Sequence, residues 1–183
     1  MRRLAFMALL LCLAASLAAT AWFGRAVWQD ARDNAAIRDL AAGRDAIPAA
    51  SADPRATHAR ILFLAWRDRL PEAQDRLPLL VGAPPELLSE ASYAIGNARM
   101  RAGFQQIEAG NFENAETEIS LAKTAYRDAL RAVPGFRDGK VNLDLAMRLV
   151  RDLPRPLADG ESDPLAQPRR LWTDLPGLPR GAP

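Results

Sequence analysis

The chain has 183 residues, with 24 Lys and Arg against 22 Asp and Glu, for a net charge of +2. That length suits one modest domain, and the near balance of charge argues against nucleic acid as the main partner. A single cysteine, Cys12, excludes an intramolecular disulfide and any zinc site built from four thiolates.

The chain opens on "MRRLAFMALLLCLAASLAATAWFGR", with 20 uncharged residues from Leu4 to Phe23. A helix needs about that many to cross ~30 Å of hydrocarbon. A cleaved secretory signal with Ala19-Thr20-Ala21 as its site is one reading, and an uncleaved signal anchor is the other. The full spanning length favours the anchor, as do Trp22, Phe23 and Trp28, aromatics suited to the far interface. Leu11 stands where a lipoprotein site at Cys12 would want a small residue. Arg2 and Arg3 hold the N-terminus in the cytoplasm. The expected location is therefore the inner (cytoplasmic) membrane, single-pass, with the C-terminal domain in the periplasm.

Residues 1–24 are the predicted anchor, and 25–52 a juxtamembrane helix and linker. The segment "RAVWQDARDNAAIRDLAAGRD" has no breaker before Gly43 and places Ala31, Ala35 and Leu40 on one side, as a stalk. Residues 53–153 form the predicted helical domain. Asp53-Pro54 is a capping pair that opens a helix bearing Ala59, Leu62, Phe63, Trp66 and Leu70. Pro71 opens a short helix with Ala73, Leu77 and Leu80, and Gly82-Ala83-Pro84-Pro85 separates it from the next.

A long helix follows from Glu86 to Gly110, with Leu88, Ala91, Ile95, Ala98 and Ala102 in one stripe. Gly110-Asn111 supplies a left-handed stop and a cap. The helix from Phe112 to Val133 carries Ala115, Ile119, Ala122, Tyr126, Ala129 and Val133 as a narrow seam for a neighbour. Pro134-Gly135 ends it. A last helix from Phe136 to Leu153 turns Leu143, Ala146, Met147 and Val150 inward. No segment alternates as a strand would, so the fold class is all-α. Residues 154–183 hold seven of the 14 prolines and read as an extended or disordered tail, in which Trp172 either folds back on its own domain or docks on a partner.

Ile95-Gly96, Ala122-x-x-x-Tyr126 and Pro134 resemble the marker positions of a tetratricopeptide (TPR) repeat. Leu143-Asp144 stands at the first marker of a following unit, 48 residues after Ile95. That exceeds the standard repeat of roughly 34 residues, and the spacing of Ala115 from Ala122 accounts for two extra turns in each helix. A TPR-like stack of two hairpins and a capping helix is expected. Tyr93, Asn97, Arg101 and Asn142 are its candidate groove residues for protein binding, together with Trp172 in the tail.

Three features remain free of chemistry. "ADGESD" spaces Asp159, Glu161 and Asp163 as calcium loops do, but lacks the sixth-position glycine and the closing glutamate. His58 reads as a lone surface histidine with no nucleophile paired by motif. Asp144 and Asp152 alternate with Arg148 and Arg151 as a solvated face. No catalytic, cofactor-binding or metal residue is expected, and the chain is not read as an enzyme.

The anchor, the paired helices, "VNLDLAMRLVRDLP" and the ending "LWTDLPGLPRGAP" together resemble the MxaK family, accessory proteins of methanol dehydrogenase in methylotrophic bacteria. The resemblance implies a part in assembling, or inserting calcium into, a periplasmic PQQ-dependent methanol dehydrogenase. It implies as partners membrane proteins with von Willebrand A-type domains and, indirectly, an AAA-type ATPase. The alternative is an adaptor of the same build serving another von Willebrand A-type envelope complex. An enzyme or a calcium carrier acting alone is the third reading.

Overall fold

The computed structural model describes residues 2–153, and these are helical without a strand. The first helix, α1, is unbroken from Arg2 to Ala41. At 1.5 Å per residue it is ~60 Å long, about twice a bilayer core. Its apolar part is unburied by the protein, and it is long and apolar enough to cross a membrane. Five further helices follow: α2 (Pro54–Trp66), α3 (Leu70–Gln74), α4 (Pro85–Glu108), α5 (Phe112–Ala132) and α6 (Arg137–Asp152). A 3-10 turn, Leu77–Leu80, stands between α3 and α4. The short helix predicted to open at Pro71 is thus split in two.

The boundaries follow from local chemistry. Asp53 Oδ1 accepts from the Arg55 N–H at 2.7 Å, and Pro54 takes the first helical position, where no N–H is needed. Gly110 stands at φ +77°, which lets its N–H and that of Asn111 donate to the Ile107 and Gln106 carbonyls and close α4, as only glycine does cheaply. Asn111 is at the N-cap of α5 but does not cap it. Its amide donates to Gln106 Oε1 at 3.1 Å instead.

The order of contacts fixes the topology. Asp33 accepts from the Asp53 N–H at 2.8 Å, and Arg67 reaches the Gly43 carbonyl at 3.1 Å, so α2 runs parallel to the end of α1. Residues 44–52 return between them. His58 meets Glu90, and Ala65 meets Arg101, so α4 runs parallel to α2. Ser89 bonds the Ala129 carbonyl while Gly103 lies on Ile119, so α5 is antiparallel to α4. Tyr93 touches Phe136 and Asn97 touches Asn142, which makes α6 parallel to α4. Three parallel helices, α2, α4 and α6, therefore succeed one another.

Two apolar clusters fill the interior. One joins Leu40, Ile61, Leu64, Leu70, Leu80 and Ile95. The other joins Met100, Ala115, Ile119, Ala122, Tyr126, Ala146 and Leu153. The predicted seam of α5 is buried from Ala115 to Ala129, and only Val133 at its end is half-buried. It is tight: a Cβ on Gly96 would lie 2.5 Å from Tyr126 Cε1, and one on Gly103 would lie 2.7 Å from Ile119 Cγ1.

Three expectations are corrected. The 25–52 segment is not a free stalk, because Asp33 and Leu40 are buried and Leu40 belongs to the core. In α2 the buried set is Ala56, Thr57, Arg60, Ile61, Phe63, Leu64 and Ala65, whereas Trp66 is 76% exposed. That helix has α1, α4 and the 3-10 turn around it, so most of its circumference is covered and no single stripe describes it. In α6, Ala146 is buried but Met147 is exposed, since among the described residues α6 has packed neighbours on one side only.

Candidate functional site

The predicted groove residues divide into a cluster and a brace. Tyr93 and Asn97 sit one turn apart on α4, and Asn142 reaches them from α6. Asn142 Nδ2 donates to Tyr93 Oη and to Asn97 Oδ1, each at 3.0 Å. Tyr126, in the α5 seam, donates its hydroxyl to the same Asn97 oxygen at 2.8 Å. Its ring lies 5.8 Å from that of Tyr93, whose other edge meets Phe136 at 4.9 Å.

This arrangement orients both amides. Asn97 Oδ1 accepts twice, so its oxygen faces the network and its NH₂ is left for another acceptor. Asn142 spends its NH₂ inside, so its carbonyl oxygen is left for another donor. Both side chains are half-buried at the surface between α4 and α6. Among the described residues neither group has a partner, so one amide donor and one carbonyl acceptor stand open at this surface. Tyr126 is buried, and burial raises its phenol well above the ordinary value of 10.0, so it serves as a neutral donor.

Arg101 is elsewhere occupied. Its guanidinium donates to the Ala65 carbonyl at 2.6 Å and to Asp68 at 2.8 Å, and lies 5.8 Å from the Trp66 ring. A cation on the last carbonyls of α2 is favourable, and it braces α4 against that helix. Trp172 and the "ADGESD" segment lie outside the described residues.

Sequence reasoning missed two ionic features. Arg60 is 1% exposed, pairs with Asp45, and donates to the Ala46 carbonyl at 3.2 Å. Asp45 also holds Arg69 at 2.6 Å, and Arg69 holds Glu72 at 2.6 Å. These hydrogen bonds hold the Asp45 and Glu72 carboxyls below their ordinary values. His58 is not a surface residue: its side chain is 12% exposed, with Nε2 lying 3.2 Å from Glu90 but off the hydrogen-bonding direction. Burial lowers its pKa, and Glu90 only partly opposes this. The sole signal is that His58 falls one helical turn before Ile61 and two before Ala65, both buried.

Asp144 and Arg148 pair at 2.8 Å on the exposed side of α6, as the solvated-face reading requires. Among the described residues no three His, Cys, Asp or Glu side chains gather to hold a metal. An open, mainly apolar groove of about 680 Å³ lies between the 3-10 turn and the ends of α4 and α5, lined by Leu77, Pro78, Val81, Leu88 and Ala132. No family model, curated protein or solved structure matches the chain.

Proposed function

We propose that the chain is a membrane-anchored, TPR-like scaffold that binds an extended segment of another protein between α4 and α6. The observation that carries this reading is the pair of oriented amides: Asn97 Oδ1 accepts from Tyr126 and Asn142, and Asn142 Nδ2 donates to Tyr93 and Asn97, which turns the Asn97 NH₂ and the Asn142 carbonyl away from the network. The succession of parallel helices α2, α4 and α6 supports the repeat reading. The unbroken α1 supports the anchor, and Arg2 and Arg3 ahead of the apolar run are the ground for proposing a periplasmic domain. Trp172 is the second contact point.

The resemblance to the MxaK family supplies the biological setting, which is assembly of, or calcium insertion into, a PQQ-dependent methanol dehydrogenase. The direct partner is then a von Willebrand A-type membrane protein of that system. The test is co-purification from methylotroph membranes with the wild-type chain, Asn142→Ala and Trp172→Ala. The expected result is recovery of the von Willebrand A-type partner by the wild type and its loss with Asn142→Ala. A deletion strain should accumulate methanol dehydrogenase lacking calcium. Normal calcium content in that strain, with partner recovery intact, would point to the alternative of another von Willebrand A-type complex.

A further inference from the structure

We infer that the end of the domain carrying Trp28, Ala50, Leu79 and Val81 rests on the bilayer as a second membrane contact beside the span. This rests on the anchor reading above. Because α1 continues without a break from its apolar part to Ala41, packing of α2 on Asp33 and Leu40 fixes the domain relative to the span. The N-termini of α2 and α4 both point toward that span, since both helices run parallel to the end of α1. The loop before α4 therefore lies at the membrane end of the domain.

The return segment brings the protein down to headgroup depth. Ala49, Ser51 and Ala52 line a small cleft with Arg25, Trp28 and Arg32. Trp28 is five residues past Phe23, a rise of ~7.5 Å. The polar layer on each side of a bilayer is roughly 5–8 Å deep. Ala50, on the same loop, shares a shallow depression with Leu79 on the 3-10 turn, which the charged Glu72, Asp75 and Arg76 also line. Val81, 78% exposed, comes two residues later and opens into the apolar groove with Leu77 and Leu88.

Leu79 and Val81 are thus apolar side chains at the one surface the span carries to lipid. Arg32 lies over the Trp28 ring at 5.7 Å, with Arg25 lining the same cleft, a pairing of aromatic and guanidinium suited to headgroup phosphates. The occupant of this face is the bilayer interface. The scaffold is held flat on the membrane, with the α4–α6 groove at a fixed height.

The test uses the full chain with Cys12→Ser and one new cysteine at a time, Leu17→Cys, Val81→Cys or Phe112→Cys, each bearing a fluorescent label. Phe112 opens α5 at the opposite end, ~30 Å away. The proteins are inserted in phosphatidylcholine vesicles containing lipid with a nitroxide on the headgroup or on the acyl chain. The label at 81 should be quenched by headgroup nitroxide several-fold more strongly than the label at 112. The label at 17 should be quenched by chain nitroxide. Quenching at 17 with equal signals at 81 and 112 overturns the second contact and leaves the anchor standing. No quenching at 17 overturns the anchor and the second contact together.

Discussion

Between α4 and α5 the close approaches are carbon on carbon: Gly96 under the Tyr126 ring, Gly103 under Ile119, and Ala122 without exposure. Between α1, residues 44–52 and α2 they are polar. Asp33 holds the Asp53 N–H, and Asp45 links Arg60 to Arg69 and so to Glu72. The first region rests mainly on shape, its small residues letting two backbones approach, with the Ser89, Tyr126 and Arg99–Glu118 bonds as its few polar ties. The second ties down a segment with no helix of its own, whose backbone cannot be paired by regular structure and is held by side chains. Shape tolerates no added atom, whereas a charge tie tolerates change only when both partners change together.

The comparison is broken most sharply by Ala122→Glu. This puts a carboxylate in the seam with no cation to meet it, a loss of roughly 4 kcal/mol or more, and the α4–α5 hairpin should unfold. An unchanged thermal melt would mean the seam is not packed. Gly96→Ala adds one methyl group against Tyr126 and should cost about 1–3 kcal/mol, read by denaturant melting.

In the charged region the two halves of one pair should differ. Asp45→Ala leaves the buried Arg60 guanidinium without its carboxylate, so it should lower the melting temperature more than Arg60→Met, which removes the charge and keeps the volume. Equal losses would show that the chain from Arg60 to Glu72 adds nothing.

Titration sharpens the contrast. His58 is held neutral by burial, so protonation below its ordinary 6.5 favours the unfolded chain, and stability falls as pH drops below that value. Asp45, Asp53 and Glu72 are held below their ordinary values, so their stabilisation is present above about pH 4 and is lost as pH falls further. All four belong to the α2 region. Tyr126 is shifted upward, so its contribution is lost only above pH 10. Hydrogen exchange should show acid loosening α2 first and alkali loosening the α4–α5 hairpin first. The smallest effect is that of Asn142→Ala: about 1 kcal/mol, since Asn97 keeps the Tyr126 hydroxyl.

Much of the first region is legible in the sequence. The α5 seam was readable because one helix with one main neighbour repeats its small residues at a fixed spacing, and Ala115 to Ala129 are all buried. Trp66 was misassigned because α2 has neighbours on several sides, so periodicity carries no direction. His58 and Arg60 were invisible as buried groups, since burial of a polar residue depends on what another segment brings to it. Of the site, Tyr93, Asn97 and Asn142 were chosen as groove residues and do come together, while Arg101 turns to the end of α2.

By itself the sequence determined the unbroken apolar first helix, the helix limits at Pro54, Gly110 and Pro134, and the small-residue seam, because each is a property of neighbours along one chain. Only the tertiary structure decided that Asp33 and Leu40 dock the first helix onto the domain, that Asp45 finds Arg60, and that Tyr126 aims the Asn97 amide. Those contacts join residues distant along the chain, and no local spacing encodes which charge or hydroxyl will arrive opposite.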